Sequence, residues 1–236
     1  MTSLTLVIGN RNYSSWSLRP WLAMRMAGLA FDEIVIPLDQ PETESRIREH
    51  SAAGRVPVLR HGDLTVWDSL AICEYVAELA PAAHLWPEDK DARATARSVS
   101  AEMHSSFTVL RAALPMNIRA DRPGLPIPAD LQAEIDRICN IWRDCRENYG
   151  ASGQFLFGGF SVADAVYAPV VARFHTYRIS VDKTVQDYID AVRSLPAMQE
   201  WAAAAAAETW VLGREEAGEP LPDSTGIDIS SSPKPR

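Results

Sequence analysis

Every stretch of this chain that reads as a β-strand falls before residue 68, and the later apolar patterns have a helical period. Leu131, Ile135, Ile138, Trp142, Cys145 and Tyr149 step by 4, 3, 4, 3, 4, the stripe of a helix that buries one face. Val99, Met103, Phe107, Leu110 and Leu114 keep the same spacing and predict one long helix ahead of it. The intervening DRPGLPIP forces a loop, because its prolines and glycine interrupt any regular element. Further helices are expected from about Ser161, Val185 and Ala197. A segment with strands followed by one without them constrains the chain to an α/β unit joined to an all-helical one.

The first unit is legible in some detail. Leu4 to Ile8 and Phe31 to Ile36 are strand candidates around a helix at Leu18 to Leu29, followed by a short polar helix from Glu42 to His50. Val56 to Leu59 and Leu64 to Trp67 flank His61-Gly62-Asp63 as a hairpin, and Ser69 to Leu79 closes the unit as a helix. The order, βαβ, helix, ββα, implies a mixed sheet covered by helices. Residues 1–80 are read as this unit, 81–92 as a linker and 93–215 as the helical unit. Residues 216–236 form a polar tail expected to be disordered, since EPLPDSTGIDISSSPKPR is too poor in apolar side chains to pack.

Composition narrows the class. Hydrophobic residues make up 47% of the 236 and charged residues 23%, as in soluble globular proteins. A net charge of −8 disfavours a nucleic-acid binder, which usually presents a basic face. No apolar run approaches the roughly 18 residues that span a bilayer, so no membrane role is expected. The N-terminus lacks the basic-then-apolar order of a signal peptide. Cys73, Cys139 and Cys145 have no metal-ligand spacing and are expected to be small buried side chains of a cytoplasmic protein with no metal.

Three segments could carry chemistry. NRNYSSWSLRPWL, residues 10–22, joins the first strand to the first helix. Proline is tolerated in the first turn of a helix, so Pro20 fits best with Ser17 as N-cap and Tyr13, Ser14 and Ser15 in the approach loop. Hydroxyls there face unpaired N–H groups and the positive end of the helix dipole, which stabilises an anion; the alternative is that the serines only cap and turn the chain. Gly54-Arg55-Val56-Pro57-Val58-Leu59 places a proline in an apolar strand, where it belongs at an edge or a special turn. A cis Val56–Pro57 bond would let Val56 offer its backbone to an extended peptide, although only about 5–6% of X–Pro bonds are cis and a trans edge proline reads equally from the residues. Asp68-Ser69 before an apolar-periodic run is an N-cap signal that could also hold a ligand's amino and carboxylate groups. A fourth segment, Ser161-Val162-Ala163-Asp164, resembles a capping box and is read as structural; Pro169 should kink its helix.

In this order, the serine-rich helix start, GxVPxL, [DE]S-x-A-I and S-x-A-D resemble the cytosolic glutathione transferases over about 215 residues. Ser14-Ser15-Trp16-Ser17-x-Arg19 is most similar to the zeta-class pattern SSCS-x-R. The resemblance implies a thioredoxin-like, glutathione-binding first domain, an all-helical second domain, and usually a cytoplasmic homodimer active in detoxification. It implies glutathione as co-substrate, no metal, and a small hydrophobic or electrophilic second substrate. Ser14, with Ser15 beside it, would hydrogen-bond the glutathione sulfur, and Tyr13 is a rival because other classes use tyrosine. Val56 before a cis Pro57 would pair with the cysteinyl backbone, Asp68 and Ser69 would hold the γ-glutamyl end, and Gln40 and Arg55 are candidates for the glycyl end. Met103, His104, Phe107 and Arg111 share the helix face expected to wall the second pocket, with simple core packing as the alternative for Met103 and Phe107.

The physics of that site needs no metal or protein nucleophile. A free thiol titrates near pH 8.5, and lowering that by about 2 units takes ~2.7 kcal/mol of anion stabilisation. A hydrogen bond to a charged group supplies ~1.5–3 kcal/mol and a helix N-terminus ~0.3–1 kcal/mol. Trp16 stands where the zeta pattern has cysteine, so that thiol's role in maleylacetoacetate isomerisation does not carry over. The lack of any cysteine in residues 10–20 disfavours omega- or glutaredoxin-type exchange. The activity implied is thiolate attack on an electrophile, with a zeta-like isomerase or a non-catalytic binding protein as alternatives.

Overall fold

The structure is a computed structural model and describes residues 3–217. Strands β1 (Leu4–Ile8), β2 (Asp32–Val35), β3 (Val58–His61) and β4 (Leu64–Trp67) form one sheet in the order β2-β1-β3-β4. β1 runs parallel to β2 and antiparallel to β3, with Leu6 opposite Leu59, and β3 pairs antiparallel with β4 across the two-residue turn Gly62-Asp63. Side chains alternate across a strand, so β1 feeds two cores. Leu6 and Ile8 join the large core with Leu22, Leu59, Ile72 and Val76 from helices α1 (Ser15–Met26) and α3 (Ser69–Leu79) and from β3. Val7 faces the other way, against Ile36, Val58 and Ile47 of α2 (Thr43–Arg48).

Beyond α3 the described chain is helical apart from turns and two isolated β-bridges: α4 (Lys90–Ser105), α5 (Thr108–Ala113), α6 (Ala129–Tyr149), α7 (Val162–Thr176), α8 (Lys183–Ser194) and α9 (Pro196–Ala207), with single turns of 3₁₀ helix at Pro81–Ala83 and Gly213–Glu215. α4 begins inside the stretch read as a linker. α7 is apolar nearly all round because it is the central helix, packed against both α1 and α4. Trp142 of α6 anchors that core, its ring centroid 5.7 Å from Tyr167, 5.4 Å from Phe174 and 4.8 Å from Tyr188. α7 starts with the expected capping box between Ser161 and Asp164 and continues through Pro169 to Thr176. No described helix is long and apolar enough to cross a membrane. The three cysteines are buried and free.

Two expectations are corrected. The helix read as one from Val99 to Leu114 is two, because Phe107 takes a left-handed conformation at φ +59° after an extended Ser106. Tertiary contacts hold the break: Arg111 donates to the carbonyls of Met103 and His104, while the Glu134 carboxylate accepts from the Leu110 N–H at 2.7 Å. The apolar spacing runs on because both helices face the same core. Secondly, α1 begins at Ser15 with Ser14, not Ser17, as N-cap, which puts Pro20 in the second turn. Ser17 is spent elsewhere, its Oγ accepting the Gly9 N–H at 3.1 Å. The segment read as a tail from residue 216 lies outside the described residues from 218 onward. Glu216 itself is held, its carboxylate accepting the Tyr13 hydroxyl at 2.5 Å.

Candidate active site

The loop from Gly9 to Ser14 is fixed by contacts that arrive from distant parts of the chain. Asn10 and Asn12 are fully buried; the Asn10 Oδ1 accepts from the Leu38 N–H and the Asn12 Nδ2 donates to Asn117, both at 2.8 Å. The Glu208 carboxylate, just past α9, accepts the N–H groups of Arg11 at 2.7 Å and Asn12 at 3.1 Å. Ser14 then sits at the N-terminus of α1, its Oγ 2.7 Å from that of Ser17. Because Ser17 accepts from Gly9, it can pass its own hydrogen to Ser14, which leaves the Ser14 hydroxyl hydrogen free to reach outward. The Ser15 hydroxyl has no hydrogen-bond partner among the described residues. Tyr13 is committed: its hydroxyl donates to Glu216 and accepts from Arg119 at 2.8 Å, and burial and the Glu216 contact raise its pKa.

Two cavities meet at this helix start and share Trp16 and Val56 as lining. The larger, about 580 Å³, is lined also by Arg55, Pro57, Asp68, Ser69 and His104. The smaller, about 280 Å³, is lined by Ser14, Ser15, Arg111, Arg173 and Glu215 among others. The Val56–Pro57 bond is cis. Neither the N–H nor the C=O of Val56 has a hydrogen-bond partner among the described residues. Asp68 caps α3 at φ +73°, a conformation L-residues rarely adopt, and its carboxylate accepts from the Leu70 N–H at 2.8 Å. Ser69 is 2% exposed, yet its Oγ has no hydrogen-bond partner among the described residues. An unpaired buried hydroxyl costs ~1–3 kcal/mol unless a ligand completes it.

Most of the residues singled out from sequence therefore converge, and three do not. Gln40 is exposed, donates to the Leu38 carbonyl at 3.3 Å and lines neither cavity. Met103 and Phe107, expected in the second pocket's wall, are buried in the core and line neither. His104 and Arg111 do line the cavities. His104 Nε2 lies 3.3 Å from the Asp68 carboxylate, but burial outweighs that attraction and holds the imidazole below its ordinary pKa.

Sequence reasoning missed Arg19, Arg173, Glu208 and Glu215. A signal existed for the arginines: each is a charge on a largely apolar helix, Arg19 early in α1 and Arg173 in the last turn of α7. No signal existed for the two glutamates, which reach the site only through the C-terminal return of the chain. Trp16 lies beneath the guanidinium groups of Arg19 at 4.2 Å and Arg111 at 4.8 Å, with His104 edge-on at 5.2 Å.

The glutathione S-transferase N-terminal domain matches residues 13–79, the span that holds the serine helix start, Val56-Pro57 and Asp68-Ser69. The chain is 24% identical to glutathione S-transferase L1 of Arabidopsis thaliana over 70% of its length and 65% of the relative, just short of two thirds of that protein. It is 25% identical to maleylacetoacetate isomerase of Rattus norvegicus over 80% of its length and 87% of that enzyme. A glutathione transferase homolog from Burkholderia, solved with bound glutathione, shares the fold at a TM-score of 0.66 and 24% identity, covering 86% of this chain and 98% of that one. The chain thus carries a glutathione S-transferase N-terminal domain at residues 13–79, set in a fold that it shares with solved glutathione transferases.

Proposed function

We propose that this protein binds glutathione across the larger cavity and conjugates it to a small electrophile, with a serine hydroxyl holding the sulfur as thiolate. One observation carries the reading. The unpaired Val56 backbone, the unpartnered Ser69 Oγ and the Asp68 carboxylate line one cavity, and that cavity shares Val56 and Trp16 as lining with the one that Ser14 and Ser15 line. A tripeptide with an amino acid at one end and a thiol in the middle satisfies each group. Its γ-glutamyl amine pairs with Asp68 and its carboxylate with Ser69 and the α3 N-terminus. Its cysteinyl backbone pairs with Val56, which turns the sulfur toward Ser14, and Arg55 is the remaining candidate for the glycyl carboxylate. On attack the sulfur forms the new bond and the leaving group departs with its electron pair. In this reading the enzyme is a cytoplasmic homodimer that detoxifies electrophiles.

Calorimetry with glutathione, combined with ultraviolet thiolate absorbance of the complex, tests the proposal. Binding with a thiol that ionises below its free value is expected. No heat up to millimolar glutathione would leave a binding protein that keeps only the architecture. A second reading, a zeta-like cis–trans isomerase, is favoured by the match to the rat maleylacetoacetate isomerase along most of the chain. Conversion of maleylacetoacetate or a cis-enol analogue to the trans product, at a rate above that of conjugation, would select it.

A further inference from the structure

Arg19, Arg111 and Arg173 converge behind the serine helix start, and none of them forms an ion pair with a carboxylate of the described residues. Arg19 is 1% exposed, and its Nε and Nη1 have no hydrogen-bond partner among the described residues. Arg173 is 5% exposed and fixed by the carbonyls of Leu114 at 2.7 Å and Pro169 at 3.2 Å, neither of which neutralises it. Arg111 is held through the Met103 and His104 carbonyls, and the carboxylate that acts on it is Glu134, at a distance rather than as an ion pair. Burial and mutual repulsion lower the pKa of Arg19 to about 9 and of Arg173 to about 10. Buried charges are ordinarily paired, because an isolated one costs several kcal/mol of lost hydration. Two buried cations beside a half-buried third, none ion-paired among the described residues, make a site suited to negative charge.

A glutathione thiolate at Ser14 would bring one such charge, which leaves the cluster positive. Arg111 and Arg173 line the same small cavity as Ser14 and Ser15, and Arg19 acts on it across the Trp16 ring. Arg214 adds a fourth guanidinium to that lining. Glu215 is the carboxylate among the lining residues, and it lies 3.4 Å from Arg214, which also pairs with Asp39 at 3.0 Å.

We propose that the second substrate is itself an anion, an electrophile bearing a carboxylate that docks on Arg111 and Arg173 beside the thiolate. A planar carboxylate matches the guanidinium fork in a way a neutral ester cannot. This rests on the glutathione reading above and adds the chemical class of the electrophile. In the reaction used to test it, the thiolate attacks the chlorine-bearing aromatic carbon, a C–S bond forms, and chloride leaves with the C–Cl electron pair. The carboxylate is unchanged, and the thiol proton has already gone to solvent.

The test compares chloronitrobenzoate with its methyl ester, each rate divided by the uncatalysed reaction with glutathione at the same pH. The acid is expected to exceed the ester in kcat/KM by about tenfold or more, a difference of ~1.4 kcal/mol. Benzoate should compete with the acid for its site. Arg111→Met should lower the acid-to-ester ratio toward one and Arg111→Lys should restore part of it; a general loosening of α4 would slow both substrates and leave the ratio alone. If glutathione binds and the ester is conjugated as fast as the acid, the anion site is refuted while the thiolate reading stands. If glutathione does not bind and neither substrate reacts, both fall.

Discussion

Ser14→Ala removes one hydroxyl from the helix start, and the expected cost can be worked from its contacts. In the thiolate complex the Ser14 hydroxyl would donate to a full negative charge, an interaction of ~1.5–3 kcal/mol. At 1.36 kcal/mol per unit, the bound thiol's pKa should rise by about 1–2 units in the variant. The α1 N-terminus, at ~0.3–1 kcal/mol, would remain and keep the thiol slightly below its free value. A more basic thiolate is also a better nucleophile, with a Brønsted slope of roughly 0.4–0.5, so each unit returns about threefold in rate. The variant should therefore lose rate at low pH, where its thiol is protonated, and recover full rate or better in alkali. Ultraviolet titration of the complex and a pH–rate profile read the two effects separately. Ser17→Ala should shift the pKa by only a few tenths of a unit, since it removes the ~10–30% polarisation passed along the chain from Gly9. Tyr13→Phe should leave it unchanged, because that hydroxyl's hydrogen already goes to Glu216. An unchanged thiol pKa in Ser14→Ala, or a loss of rate equal at all pH values, would refute the reasoning; a shift confined to Ser15→Ala would move the role by one residue.

Asp164→Ala strips the partners from the buried N–H groups of Leu156 and Ser161, bonded at 3.1 and 2.8 Å, and should cost about 2–4 kcal/mol in denaturant unfolding. Burial raises the Asp164 pKa to about 6, so the folded state binds the extra proton between about pH 4 and pH 6 and its stabilisation declines as pH rises through that window. The loss in Asp164→Ala should accordingly be larger near pH 4.5 than near pH 7.5, and the reverse order would contradict the assigned environment. Glu208→Ala frees the N–H groups of Arg11 and Asn12, which should exchange with solvent at least about tenfold faster by hydrogen exchange, and turnover should fall through the displaced Ser14 loop.

How much could be read beforehand differs between the fold and the site. The α3 helix and strands β1 and β4 are legible to the residue, because turn chemistry and apolar period agree there. The helix break at Phe107 is not, since its cause is the Glu134 carboxylate and the Arg111 guanidinium, neither of which leaves a trace in local spacing. The N-cap was misplaced for a related reason: Ser14 and Ser17 are equally good capping residues, and the choice is made by the Gly9 N–H taking Ser17.

At the site, residue types alone marked the polar groups that line the cavities: hydroxyls at a helix start, an aspartate–serine cap and a proline-marked extended segment are local patterns, each meaningful within a few residues. What remained hidden depends on segments remote in the chain coming together. The C-terminal return from Glu208 to Glu216 clamps the serine loop, and α4–α5 and α7 deliver Arg111 and Arg173 to one cavity. Hydrophobic period settles which face of a helix is buried, whereas the choice of which buried charge faces another is made by packing between helices. A local pattern therefore marks the hydroxyls at the helix start, and only the assembled core shows how much positive charge surrounds them.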